Sequence, residues 1–177
     1  MRKIVLTFGL IAGAILSGMM LLILPFHDRI GFDKGLFIGY TTMVLAFLMI
    51  FAGVKSYRDN IGGGTVSFGR GLAIGLLITA VGSVCYVATW QFVYYRITPD
   101  YLEKYSAYAV AKERESGASD AQVLAKAKEL KEFEESYKNP LVNIAYTLLE
   151  PLPVGIVLSL VAAGVLSRKR RTVPAAA

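Results

Sequence analysis

The chain is poor in the residue types from which soluble enzymes build chemistry. It has one cysteine, Cys85, and one histidine, His27. A single cysteine excludes an internal disulfide framework and a cysteine metal cluster. Cys85 falls inside an apolar run. His27 lies in a short loop, where a lone histidine reads as a surface residue rather than a metal ligand. Charged residues make up 18% of the chain, against roughly 25% in average soluble domains. Short alternating strands are absent too, which argues against a closed β-barrel. At 177 residues the chain suits one polytopic domain, residues 1–177, with no second catalytic module.

What is abundant is apolar sequence, at 55% of residues. Crossing a hydrocarbon core of about 30 Å takes about 20 helical residues. Four runs qualify: residues 4–25, 35–54, 71–95 and 141–166. The first three carry no charge, and the fourth carries only Glu150. Without water, backbone groups must be satisfied inside the segment, so each run is expected to be helical. Arg2 and Lys3 before an apolar stretch also describe a signal peptide, whose apolar core is about 7–15 residues long. This stretch continues through Gly18, Met19 and Leu22, so a retained helix is expected.

Lys and Arg in short loops set orientation. An even number of spans puts both termini on one side. That side collects Arg2, Lys3, Lys55, Arg58, Arg70, Arg168, Lys169, Arg170 and Arg171 against Asp59 alone, which exceeds the whole net charge of +6. Both termini are therefore expected in the cytoplasm, with residues 167–177 as a basic tail. Trp90, Phe92, Tyr94 and Tyr95 would form an aromatic belt at the outer end of the third span. The basic residues are dispersed loop anchors, so nucleic acid is not an expected partner. The lipid bilayer is, and Arg168–Arg171 can also attract anionic headgroups.

Lipid tails are as apolar as leucine, so helices in membranes associate through small residues that let backbones approach. Small residues recur at every fourth position: Gly9, Gly13 and Ser17; Gly31, Gly35 and Gly39; Ser67, Gly71, Gly75, Thr79 and Ser83; Gly155, Ser159, Ala163 and Ser167. A stripe on every span points to packing within the chain, with the third span most central. A homo-oligomer face is the alternative.

Residues 98–139 have soluble character. Thr98 followed by Pro99 is expected to start a helix. Ser116 and Gly117 break it, Ser119 with Gln122 forms a capping box, and Asn139 with Pro140 ends a second helix. Tyr101, Tyr105 and Tyr108 on one face, and Val123, Leu124, Ala127, Leu130 and Tyr137 on the other, predict an extracytoplasmic helical hairpin. It is read as a connector that holds two spans in register, or else as a platform for a protein partner.

Two segments invite chemistry. Gly62 to Gly71 has the glycine spacing of a phosphate loop, but Arg70 and Gly71 stand where Lys and Ser or Thr are required. A cytoplasmic turn anchored by Arg70 is the better reading. Glu150 lies about ten residues, roughly 15 Å, into the fourth span, followed by Pro151 and Pro153. Proline removes a helix N–H and crowds the carbonyl four residues back, so this point is expected to kink. A carboxylate at a broken helix resembles a coupling-ion site. The blander reading is a neutral carboxyl hydrogen-bonded across the helices, with Tyr86 and Thr79 as candidate partners. There is no intramembrane Asp pair, zinc spacing or nucleophile–base pair, so no catalytic, cofactor or metal residue is assigned.

Two sets of features carry a family resemblance. In one, Phe68, Gly69, Arg70 and Gly71 open a span, Trp90, Tyr94 and Tyr95 close it, and Pro99, Asp100 and Tyr101 start a polar segment. In the other, Glu150, Pro151, Leu152, Pro153, Val154 and Gly155 precede a basic tail. Together they resemble the bacterial membrane family of domain of unknown function 4199. The resemblance implies a four-helix bacterial inner-membrane protein, and carries over no activity, cofactor or catalytic residue.

The expected fold is an all-α membrane protein, with four transmembrane helices and a periplasmic hairpin between the third and fourth. The expected role is non-enzymatic: a scaffold, assembly or accessory subunit. A small proton- or ion-coupled carrier using Glu150 comes next, and a membrane-embedded enzyme third. Topology is directly testable. A cysteine at Ser116, in a Cys85→Ser background, should react with an impermeant thiol reagent in intact spheroplasts. Labelling only after lysis would invert the orientation.

Overall fold

A computed structural model describes residues 1–167, apart from the side chains of residues 27 and 28. The anticipated cation cluster Arg168–Arg171, the rest of the tail and the His27 side chain lie outside the described residues. Among those described, the chain is helical with no strand: α1 (Arg2–Ile23), α2 (His27–Ile30), α3 (Phe32–Phe47), α4 (Met49–Asn60), α5 (Phe68–Arg96), α6 (Tyr101–Glu115), α7 (Asp120–Tyr137), α8 (Pro140–Leu148) and α9 (Pro151–Leu166). Four helical stretches are long and apolar enough to cross a membrane: Arg2–Phe26, Phe32–Asn60, Phe68–Arg96 and Pro140–Leu166. Each outruns the apolar run that predicts it by a few residues at one or both ends. Backbone hydrogen bonding continues past the apolar boundary, and charged residues such as Arg2, Arg58 and Arg96 tolerate a helix end near water.

The chain divides into two compact units, residues 1–86 with the residues from Glu150 onward, and residues 87–149. In the first, α1 packs on α3 and α4, and α9 packs on the same two helices. Val5, Ala12, Leu16, Met43, Ala46, Phe47, Ile50, Val54, Ile74, Ile78 and Ala162 form its core. The close approaches are set by glycine. A Cβ on Gly9 would strike Val81, one on Gly13 would strike Cys85, and one on Gly75 would lie 2.7 Å from Ser159 Oγ. Gly71 faces Ala163, and Gly155 faces Thr79. The stripes on the first, third and fourth spans therefore pack inside this unit. The second span departs from expectation: a Cβ on Gly35 or Gly39 would meet nothing within 4 Å. Its close approach is made instead at Gly53, against Ile78.

The turn from α4 to α5 uses glycine for backbone reasons. Gly63 and Gly64 have φ of 61° and 84°, in the left-handed region that L side chains rarely adopt. The Gly62 N–H donates to the Tyr57 carbonyl and the Gly64 N–H to that of Arg58, closing the end of α4. Ser67 Oγ accepts from the Arg70 N–H at 3.3 Å. A helix precedes this turn where a phosphate loop requires a strand.

In the second unit α6 and α7 pack against each other. The Ser119–Gln122 capping box forms, with the Ser119 N–H donating to Gln122 Oε1 at 2.9 Å. Two expected boundaries move. The first helix starts at Tyr101 with Asp100 at the cap position, because Thr98 and Pro99 are held in a turn by the Thr98 N–H bond to the Val93 carbonyl. Asn139 caps the following helix rather than ending α7: its side chain accepts from the Leu141 N–H at 3.0 Å, with Pro140 in the first helical turn. Val123, Leu130 and Tyr137 are buried, but Leu124 on α7 and Tyr105 on α6 are exposed, so each expected apolar face is narrower by one residue. On the surface, the Lys104 ammonium beside Asp100 holds that carboxyl below its ordinary range, and Lys138 does the same for Glu135. Such exposed pairs contribute little to stability.

The α5–α9 contact tests the packing argument. Gly75→Leu should destabilise the first unit by about 1–3 kcal/mol, as other overpacking changes do. Thermal unfolding in detergent measures it. A variant that melts with the wild type would show that this face does not need glycine.

Candidate functional site

All but one of the polar residues that matter here, Tyr137 at the end of α7, lie inside candidate spans, where in a bilayer an unpaired polar group costs several kcal/mol. They fall into two groups, one in each unit.

The first group runs along the contact of α5 with α9. Thr79 Oγ1 donates to the Gly75 carbonyl at 3.0 Å, and Ser159 Oγ to the Gly155 carbonyl at 2.7 Å. The two hydroxyls meet at 3.5 Å. One turn further along α5, Ser83 is buried and its Oγ has no partner among the described residues. Tyr86 comes next, and its hydroxyl donates to Glu150 Oε2 at 2.6 Å. Of the two anticipated partners, Tyr86 meets the carboxyl, while Thr79 is engaged with the backbone and Ser159.

Glu150 lies three residues before Pro153, the midpoint of Pro140–Leu166, so within about 5 Å of mid-span along the axis. It is exposed, and its Oε1 takes no hydrogen bond among the described residues. The helix is interrupted at this point, α8 ending at Leu148 and α9 starting at Pro151. Leu149 and Glu150 both keep right-handed helical dihedrals, with φ of −64° and −79°. The two prolines remove N–H groups without driving the chain out of the helical region, because proline's fixed φ suits the first turn of α9. Pro151 is buried and Pro153 is exposed.

The second group lies within residues 87–149. Trp90 Nε1 donates to the Tyr137 hydroxyl at 3.0 Å, and that hydroxyl lies 3.3 Å from Thr147 Oγ1. Thr147 Oγ1 donates to the Asn143 carbonyl at 2.7 Å, and Gln91 Nε2 to Asn143 Oδ1 at 2.6 Å. Asn143 is fully buried, and its Nδ2 has no partner among the described residues. Around this chain Trp90 and Tyr101 make an edge contact at 5.0 Å, as Tyr94 and Tyr137 do at 5.4 Å. The residues expected to form an interfacial belt are thus partly an aromatic core: Tyr94 is buried, whereas Phe92 is exposed.

Sequence reasoning missed Gln91, Asn143 and Thr147. It searched the apolar runs for charge, and amides and hydroxyls pass that filter. The available signal was Asn143 with Thr147, two polar residues one helical turn apart in a run of apolar ones. Arg70 stands at the start of α5, where its guanidinium lies 3.9 Å from the Met1 sulfur. Gly71, Gly75, Thr79, Ser83, Gly155 and Ser159 serve packing, and Glu150, Pro151 and Pro153 share the start of α9. Among the described residues no three His, Cys, Asp or Glu side chains converge on a point where a metal could be held.

The family model described as "Protein of unknown function (DUF4199)" matches residues 7–168. The chain belongs to that family. No curated protein and no solved structure matches it.

The Tyr86–Glu150 bond has a measurable value. Tyr86→Phe and Glu150→Leu should each cost about 0.5–2 kcal/mol, the range of hydrogen bonds between helices in membranes. The double variant should cost little more than either alone, as groups in direct contact do. Additive losses on chemical unfolding would mean that the pair is not coupled.

Proposed function

We propose that this member of the DUF4199 family is a non-enzymatic accessory or assembly subunit of a bacterial inner membrane. Both termini lie in the cytoplasm, and residues 98–139 form a periplasmic helical hairpin. The excess of Lys and Arg at one set of span ends supports this orientation. The observation that carries the role is the Tyr86–Glu150 pair: a carboxyl near mid-span, exposed, with one oxygen held and the other open. An intramembrane ionisable side chain is costly and normally pairs with another polar group. A surface carboxyl of this kind suits attachment to a neighbour within the bilayer. The hairpin offers a second point of attachment, to a periplasmic partner. The bilayer itself is the other partner, nucleic acid is none, and no cofactor is required.

A second reading, a small proton- or ion-coupled carrier, draws on the same carboxyl and the two prolines that follow it. A membrane-embedded enzyme is the third, and would need a further polar group at Glu150 Oε1. The first two separate cleanly. In proteoliposomes carrying a pH-sensitive dye, the wild-type protein should pass no more protons than empty vesicles, and Glu150→Gln should change nothing. Proton flux that disappears in a normally folded Glu150→Gln variant would make the protein a carrier.

A further inference from the structure

We infer that Glu150 is the recognition point for a single membrane-spanning helix of another protein, one that carries a lysine or arginine near the middle of its span. The inference rests on the assembly reading above and names what that assembly binds.

The outward side of α9 supplies the surface. Pro151, Gly155, Ser159, Ala162 and Ala163 are buried, whereas Pro153, Val157, Leu160 and Val161 are exposed. An apolar strip therefore continues from Glu150 along the helix. Apolar residues alone would leave lipid as an equal competitor, because lipid tails are as apolar as leucine. The carboxyl removes that equivalence. Tyr86 donates to Oε2, Oε1 takes no hydrogen bond among the described residues, and Glu150 as a residue is exposed.

Charge decides the kind of partner. A mid-span cation in another helix carries a desolvation cost of the same kind as the carboxyl, and pairing offsets both. A second copy of this chain cannot supply it. Among the described residues, the Lys and Arg of the candidate spans stand towards their ends: Arg2, Lys3, Lys34, Lys55, Arg58, Arg70 and Arg96. Lys55 comes closest to a midpoint, and it is nine residues, about 13 Å, past the centre of Phe32–Asn60. Alternating spans make the second and fourth parallel, and Glu150 lies before the centre of its own. The two charges are thus displaced in opposite directions from mid-span. Lys34, on the same side of mid-span as Glu150, stands nine residues, about 13 Å, further from the centre, so the complementary cation comes from a different chain.

The test uses donor-labelled full-length protein in phosphatidylcholine vesicles. The probe is an acceptor-labelled leucine–alanine spanning peptide with one arginine at its centre. The arginine peptide should associate at least tenfold more strongly than its all-leucine counterpart. Glu150→Leu should abolish the preference, and Glu150→Gln, which keeps the shape, should cut it several-fold. A preference that survives Glu150→Leu overturns the inference, as does equal binding of the all-leucine peptide. Energy transfer between differently labelled copies of the protein, equal to that with the arginine peptide, would make a second copy the occupant and also overturns it. Native gels of the source membranes separate this from the underlying reading. A complex lost in Glu150→Leu supports the inference. A complex that persists in that variant sinks the role of Glu150 but leaves assembly standing. Wild-type protein that runs as a monomer sinks assembly itself.

Discussion

The α5–α9 contact is the constraint on which the first unit depends. Gly71, Gly75 and Thr79 on one helix meet Ala163, Ser159 and Gly155 on the other, in reciprocal order. Each small residue admits one from the facing helix. In water such a seam would gain little, because glycine and serine bury little apolar area. For helices surrounded by lipid, area burial offers no preference between helix and solvent, and close backbone approach supplies the attraction. Thr79 and Ser159 direct their hydroxyls back to their own helix backbones, so the seam carries polar atoms without leaving them unpaired. The same logic holds α1 against α5 at Gly9 and Gly13.

A seam that tight explains why the carboxyl sits where it does. Glu150 directly precedes Pro151, which is buried at the start of α9, and the first glycine of the α9 seam follows four residues later. No side chain as large as glutamate fits the seam itself. Placed at its end, the carboxyl can turn outward and still reach the Tyr86 hydroxyl. A close-packed contact thus positions a surface group. A glutamate elsewhere on α9 would either disrupt the seam or lie beyond the reach of Tyr86.

Much of the fold was legible because spans obey simple physics. Length and hydropathy identify four helices, and the four-residue repeat of small residues identifies three of the four packing faces. The repeat misleads at Gly35 and Gly39, which face open space, since spacing records where close approach is permitted and not whether a partner arrives. Helix ends in the polar segment were misplaced at Thr98 and Asn139 for a related reason. A residue able to cap can serve either helix beside it, and the choice depends on neighbouring backbone groups such as the Val93 carbonyl. Glu150 stood out as the charge in an otherwise apolar run, and Tyr86 was one of two candidates at the right height. Gln91 and Asn143 were invisible because neutral amides look unremarkable until two helices bring them within 2.6 Å.

The two polar groups differ in a way that bears on function. The amide and hydroxyl chain from Trp90 to Gln91 is turned inward: Asn143 is fully buried with its oxygen engaged, though its Nδ2 meets no partner among the described residues. Such a chain specifies how its own helices register, and it presents nothing outward. The Glu150 carboxyl has one oxygen held by Tyr86 and the other without a hydrogen bond among the described residues, on a residue that is exposed. The other outward positions on this side of α9 are apolar, as at Val157 and Leu160. A carboxyl adds nothing to the Gly–Ser seam beneath it, and in lipid it carries a desolvation cost. Its place on the exposed side makes sense where something outside the chain uses it, as the proposed assembly role requires.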